Sequence, residues 1–158
     1  MLNYLEIKDI CQYNDVTIGK MFFHVNGENA TLMCMWRTNR GIKIRDSCQL
    51  PRGEMKVRYP STTDWLPALS VAVNSRHCVL VEPLYECNWE SFGNSIYLFR
   101  DGDEFLNNNK NFQTLIQWLR DQQVNSIYIS ENKENPDEYY FCVEDTRSSS
   151  LRELIDSL

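Results

Sequence analysis

Val16-Thr-Ile-Gly-Lys-Met-Phe-Phe-His-Val25, then Asn26-Gly-Glu-Asn29, then Ala30-Thr-Leu-Met-Cys-Met-Trp-Arg37 is the stretch that decides how this chain folds. Two runs of apolar, β-branched and aromatic residues flank an Asn-Gly pair. That pair is the strongest short-range hairpin signal, because both residues accept positive φ and match the twist of paired strands. The runs are apolar on both faces, through Met21, Phe22 and Phe23 in the first and Leu32 to Trp36 in the second. They therefore read as strands covered on two sides.

Upstream, Asn3–Tyr13 fits two readings. Leu5, Ile7, Ile10 and Cys11 can form a short helix face, or Tyr4-Leu-Glu-Ile7 can be a strand. Downstream, Arg40-Gly41 predicts a turn, after which Ile42 and Ile44 alternate with Lys43 and Arg45. Met55, Val57 and Tyr59 alternate in the same way with Glu54, Lys56 and Arg58. Such alternation marks half-exposed strands, here with a basic outer face, and the whole reads as an antiparallel meander of about four strands.

Pro60-Ser-Thr-Thr-Asp64 predicts the start of a helix, with Thr62 or Thr63 as cap, Pro67 in the first turn, and Leu66, Leu69 and Val73 as its stripe. His77–Val81 is expected to be a strand ended by Pro83, and Ser95–Phe99 a strand closed by Asp101-Gly102. The clearest helix is Lys110–Gln122, where Phe112, Leu115, Ile116 and Leu119 share one face and Asn109 can cap. Ser126–Ile129 and Tyr139–Val143 read as strands around the polar loop Ser130–Glu138. Ser150-Leu-Arg-Glu153 has capping-box spacing ahead of Leu154, Ile155 and Leu158, and predicts a short terminal helix that also buries Leu151. Strands first, then helices mixed with strands, predict an α+β fold in one domain, 1–158: a mainly antiparallel sheet packed with two or three helices.

The composition is that of a chain that folds without a partner, with 42% apolar and 12% aromatic residues. No run of about 18 apolar residues offers a membrane helix, and Met1–Asp9 lacks the pattern of a secretory signal. Six scattered cysteines without a C-x-x-C pair predict free thiols, hence a reducing, cytoplasmic setting. The net charge of −6 is unevenly spread, with +3 on residues 1–80 and −9 on residues 81–158.

The motifs of chemistry fail one by one. His77 and Cys78 are strand neighbours and point to opposite faces, so they cannot share a proton. His24 sits in an apolar run, as a core or edge histidine does. No ligand pairs suit zinc, and none of the six glycines has phosphate-loop spacing. Asp101-Gly-Asp103-Glu104 matches the opening of a calcium loop, but Phe112 falls where the closing carboxylate is required. The sequence therefore predicts no catalytic residue, no metal and no cofactor.

Two charged regions remain. Arg37, Arg40, Lys43, Arg45, Arg52, Lys56 and Arg58, with Trp36 and Tyr59, outline a basic sheet face that could stack single-stranded nucleic acid, an unlikely partner for so acidic a chain. The acidic half interleaves carboxylates with rings. Aromatic anchors in a negative field suit capture of a basic protein surface. The candidate binding residues are Tyr85, Glu86, Trp89 and Glu90; Asp101, Asp103 and Glu104; and Glu131, Glu134, Asp137, Glu138 and Tyr139.

Small size, acidity, the lack of catalytic residues and the stretches Leu84-Tyr-Glu-Cys-Asn-Trp-Glu90 and Glu131-Asn-Lys-Glu-Asn-Pro-Asp-Glu-Tyr-Tyr140 make the chain similar to immunity proteins. These belong to bacterial polymorphic-toxin and contact-dependent growth-inhibition systems. The resemblance implies a cytoplasmic α+β inhibitor, monomeric or homodimeric, that blocks the active site of a basic toxin domain, commonly a nuclease. Other binding readings are a chaperone of a secreted effector, which predicts a stable homodimer, and a nucleic-acid binder working from the basic segment.

Overall fold

The computed structural model describes residues 2–13, 16–37, 53–59, 69–73, 78–90, 92–130 and 151–158, with the backbone alone at 9–13 and 157. The hairpin forms as its sequence dictates. Strand β2 (Val16–Val25) pairs antiparallel with β3 (Glu28–Arg37) through all ten residues of each. The turn between them is only Asn26-Gly27, at φ 54° and 77°, so β3 begins two residues earlier than the apolar run suggests. The ambiguous first segment is a strand throughout, β1 (Tyr4–Tyr13), antiparallel to β2 with a bulge between Asp9 and Cys11.

From here the topology departs from a meander. Strand β4 (Gly53–Arg58) does not neighbour β3. It pairs with β9 (Ser126–Ser130), which in turn lies parallel to β1. Strands β5 (Leu69–Ala72) and β6 (Cys78–Pro83) continue from β4, all antiparallel. Strand β7 (Ile96–Asp101) then runs parallel to β6 and pairs antiparallel with β3. That last pairing closes eight strands into a barrel, with the two-residue β8 (Glu104–Phe105) folded back on the end of β7.

The predicted α+β architecture is thus wrong. The chain is mostly β, a closed eight-stranded barrel, and the described residues contain two helices, α1 (Asn109–Asp121) and α2 (Leu151–Ser157). Alternation tells which side of a strand is buried, but not which strand lies beside it. Closure rests on partners far apart in sequence, β1 with β9 and β3 with β7. The helix expected from Pro60 onward also fails where it can be seen. Leu69–Ala72 is β5, and Leu69 and Val71 enter the core at the two-residue spacing of a strand. Residues 38–52, 60–68 and 131–150 lie outside the described residues, and with them the turn at Arg40-Gly41, the Ile42/Ile44 strand, the predicted Tyr139–Val143 strand, all but Ser130 of the predicted polar loop, and Ser150.

Eight strands enclose an interior about wide enough for side chains to fill, and here they fill it. Leu5 and Ile7, Met21, Phe23 and Val25, Cys34 and Trp36, Met55 and Val57, Leu69 and Val71, Val79 and Val81, Ile96 and Leu98, and Ile127 and Ile129 form one cluster. Gly19 makes room for Trp36, whose ring atoms lie 3.1 and 3.2 Å from where a Cβ would stand. Phe112, Ile116 and Leu119 of α1 stopper one end of the barrel. Each such side chain contributes roughly 1.5–3 kcal/mol on burial, so core contacts rather than helix propensity hold α1 in place.

A second cluster lies on the outer wall and explains why the hairpin is apolar on both faces. Val16, Ile18, Met35, Tyr97 and Phe99 point outward and are covered by Leu84 and Phe92 from the following segment and by Leu151, Leu154 and Ile155 of α2. Arg37 donates to the Phe92 carbonyl at 2.8 Å, and Arg100 to the Ile155 carbonyl at 3.1 Å, fastening both covers.

Candidate functional site

Among the described residues a concavity lies at one end of the barrel. It is a groove of about 400 Å³ between α1 and the barrel end it stoppers. One wall is α1, through Asn108, Asn111, Phe112, Leu115 and Trp118. The other is built from the β2–β3 hairpin (Phe23, Ala30, Leu32), Pro83 and Leu98 of β6 and β7, and the β7–β8 corner (Asp101, Glu104 to Asn107).

Both ends of α1 are fixed, which sets the direction of the groove. At its start Asn108, rather than the expected Asn109, is the cap, its side-chain oxygen accepting from the Lys110 amide at 2.8 Å. At its end Gln123 adopts φ 57°, the Gln123 amide donates to the Arg120 carbonyl, and the Val124 amide donates to the Leu119 carbonyl. This is the Schellman arrangement, with buried Val124 packing where the motif needs an apolar residue. Asn3 donates to the Gln122 carbonyl at 2.9 Å and Asn26 to the Gln122 side chain at 2.7 Å, tying the helix end to the hairpin tip. The hairpin thus lies beside the C-terminal half of α1, and the β7–β8 corner leads directly into its N-terminus.

The groove is graded in polarity as a result. Toward the C-terminal half it is apolar, with half-buried Leu115 and with Trp118, 36% exposed, above Phe23 and Leu32. Toward the N-terminal end it is acidic and rich in amides. Asp101 and Glu104 line it and are exposed, and Asp103 is exposed in the turn between them. Among the described residues none of these three carboxylates is in an ion pair. Tyr85, 43% exposed, reaches the same end, where its hydroxyl donates to the side-chain oxygen of Asn109. Burial, and then the nearby Glu82 charge, push the Tyr85 hydroxyl upward; burial likewise pushes the Glu82 carboxyl upward.

The twelve residues expected to bind a partner are therefore divided. Asp101 and Glu104 line one end of the groove, Asp103 is exposed in the turn between them, and Tyr85 is hydrogen-bonded to Asn109 next to the Asn108 cap. Glu86 and Glu90 are exposed, but Trp89 is half-buried in the outer cluster, edge-on to Phe92 at 5.7 Å, so Leu84–Glu90 is not one continuous patch. Glu131, Glu134, Asp137, Glu138 and Tyr139 lie outside the described residues. Sequence reasoning missed Trp118 and took Leu115 as core. The available signal was Asn111, Leu115 and Trp118 at i, i+4 and i+7, a second row alongside Phe112, Ile116 and Leu119, making the helix's apolar face wider than the barrel end can cover.

The basic segment loses its stacking rings. Trp36 is 4% exposed inside the barrel, and half-buried Tyr59 donates to the Val124 carbonyl at 2.6 Å with Arg120 over its ring. Lys56 and Arg58 are exposed on β4, while Arg40, Lys43, Arg45 and Arg52 lie outside the described residues. His24 is not a core histidine. It is half-buried on the outer wall, stacked on Tyr4 at 4.5 Å, hydrogen-bonded to Asn29 and 3.6 Å from Glu6. Of the described thiols Cys34 is buried, Cys87 half-buried and Cys78 exposed, and none of the three is in a disulfide. Among the described residues no three or more His, Cys, Asp or Glu side chains are placed to share a metal ion, and no helix is long and apolar enough to cross a membrane. No family model, curated protein or solved structure matches the chain.

Proposed function

We propose that this protein is a non-catalytic inhibitor that captures a basic protein partner in the α1 groove, as an immunity protein captures its toxin in the bacterial cytoplasm. The observation that carries the reading is the groove's composition: an apolar floor with an exposed tryptophan at one end, and carboxylates outside any described ion pair at the other. A buried ring or aliphatic side chain supplies most of an interface's affinity, while rim charges speed encounter and exclude wrong partners. The −9 balance of residues 81–158 adds to the attraction that this half of the chain exerts on a basic partner. The partner expected is a toxin domain, commonly a nuclease, whose basic active site the acidic rim would cover.

The test is co-expression with the product of the neighbouring gene, followed by kinetic binding measurements across a salt series. The expected result is a nanomolar complex whose association slows as salt rises and whose dissociation accelerates in Trp118→Ala. A partner that binds with no salt dependence, or no binding at nanomolar concentration, refutes the reading.

A further inference from the structure

The groove's grading specifies its occupant more narrowly than a basic protein. We infer that it takes a short partner segment in which an apolar side chain and a lysine or arginine lie about 10–15 Å apart, the first seated on Leu115 and Trp118, the second between Asp101 and Glu104. This rests on the binding role proposed above.

The spacing follows from the helix that forms the wall. Asn108 at the acidic end and Trp118 at the apolar end are ten positions apart, about 15 Å at 1.5 Å per residue. An extended chain covers that span in about three to five residues. The volume, about 400 Å³, is near the lower end for ligand sites. It suits a few inserted side chains rather than a whole helix. Asn107 and Asn111, whose side chains hydrogen-bond no other described residue, lie along the path and offer donors and acceptors to an extended backbone.

One competing role for the carboxylates must be weighed. The N-terminus of α1 carries a partial positive charge of about half a unit, and Asp101 and Glu104 lie near it, where acids stabilise a helix. Two full negative charges exceed that half unit, and the first turn of α1 adds no acid but does add Lys110. The end remains net negative toward an incoming cation. The two roles are separable. Carboxylates that serve the helix change stability when neutralised, and carboxylates that serve a ligand change affinity.

The experiment is selection of a displayed random peptide library on the full-length chain, followed by titration of the selected peptides. Expected is enrichment of an apolar residue three to five positions from Lys or Arg, with bound peptide shifting the amide resonances of Asn111, Leu115 and Trp118. Asp101→Asn with Glu104→Gln should then weaken binding about two- to thirtyfold, the range for two exposed ion pairs, without lowering the melting temperature. Trp118→Ala should weaken it at least about tenfold. Enriched peptides that lack a cation, affinity unmoved by the double neutralisation, or no enrichment at all overturns the inference. The outcome for the inhibitor reading is distinct. If the partner's capture is lost in Trp118→Ala while no peptide binds, that reading survives and this inference falls. If the partner binds Trp118→Ala as tightly as wild type while the peptides behave as expected, the reverse holds.

Discussion

Substituting Gly19 by alanine tests the barrel at its tightest point, and the sign of the effect is the informative part. Gly19 lies mid-strand in β2, opposite Cys34 and next to the β1 bulge, with no positive φ to demand glycine. On propensity alone, alanine should stabilise such a position by about 0.5–1 kcal/mol, because glycine loses more freedom on folding. The structure predicts the opposite. A Cβ at Gly19 would stand 2.8 Å from the Lys8 carbonyl oxygen and 3.1–3.2 Å from two ring carbons of Trp36. The carbonyl belongs to the paired strand, so it can retreat only by moving backbone. The ring is 4% exposed inside a filled barrel and has little room to turn. Overpacking of this kind costs about 1–3 kcal/mol, which for a chain of this size lowers the melting temperature by roughly 2–12 °C. Chemical denaturation with matched m-values measures it. A second variant sharpens the reasoning. Trp36→Leu with Gly19→Ala relieves the ring contact but not the carbonyl contact, so it should recover only part of the loss relative to Trp36→Leu alone. An alanine variant as stable as wild type or more so refutes the packing described for β1, β2 and β3.

Three further outcomes follow from other parts of the molecule. Leu119→Ala removes a side chain that is 1% exposed at the stopper of the barrel and should cost about 2–5 kcal/mol by denaturant titration, with α1's helical signal lost in the same transition. Tyr59→Phe leaves the Val124 carbonyl without its 2.6 Å donor and should cost about 1–2 kcal/mol near neutrality. Burial raises the Tyr59 hydroxyl from 10.0 to about 12, with the Arg120 charge partly opposing; the stability it brings is present below 10.0 and lost as pH climbs through about 12, so the variant should flatten that alkaline decline. Burial also raises the Glu82 carboxyl above its ordinary 4.5, so the folded state holds that proton more tightly and stability falls as pH rises past 4.5. Glu82→Gln should therefore raise the melting temperature near pH 7 relative to wild type and leave it unchanged well below pH 4.5, as a pH series of thermal melts would show.

The parts of the fold that were legible in the sequence are those governed by neighbours along the chain. Asn26-Gly27 announces the hairpin because two consecutive positive φ values have few other sequence solutions, and the row Phe112, Ile116, Leu119 announces α1 because one turn's spacing is written in the residues. What was not legible depends on residues far apart. Nothing local in Ser126–Ser130 says that it will run parallel to β1, and nothing in Ile96–Asp101 says that it will complete the sheet against β3. The two-sided apolar character of the hairpin was read correctly as double burial, but its outer cover, α2 and the Leu84–Phe92 segment, could not be deduced from it. At the groove the acids were visible as charges, but Trp118 was left off the helix's apolar face, and Leu115, placed on it, packs against the core only in part.

The partial cover of Leu115 and Trp118 has a geometric reason. An amphipathic helix lying flat on a broad sheet can bury its whole apolar stripe. A helix set against the end of a barrel meets a rim of limited width, and only the row aimed into the opening, Phe112, Ile116 and Leu119, is fully covered. The adjoining row, Asn111, Leu115 and Trp118, is left along the rim with the β7–β8 corner opposite it. Leu115 is half-buried against the core cluster, while Trp118 keeps 36% of its surface exposed. On the reading proposed above, a bound partner covers the remaining apolar surface of Trp118, beside carboxylates outside any described ion pair. The docking site proposed above is thus the rim beside α1, where Trp118 is left part-exposed next to the Asp101–Glu104 corner.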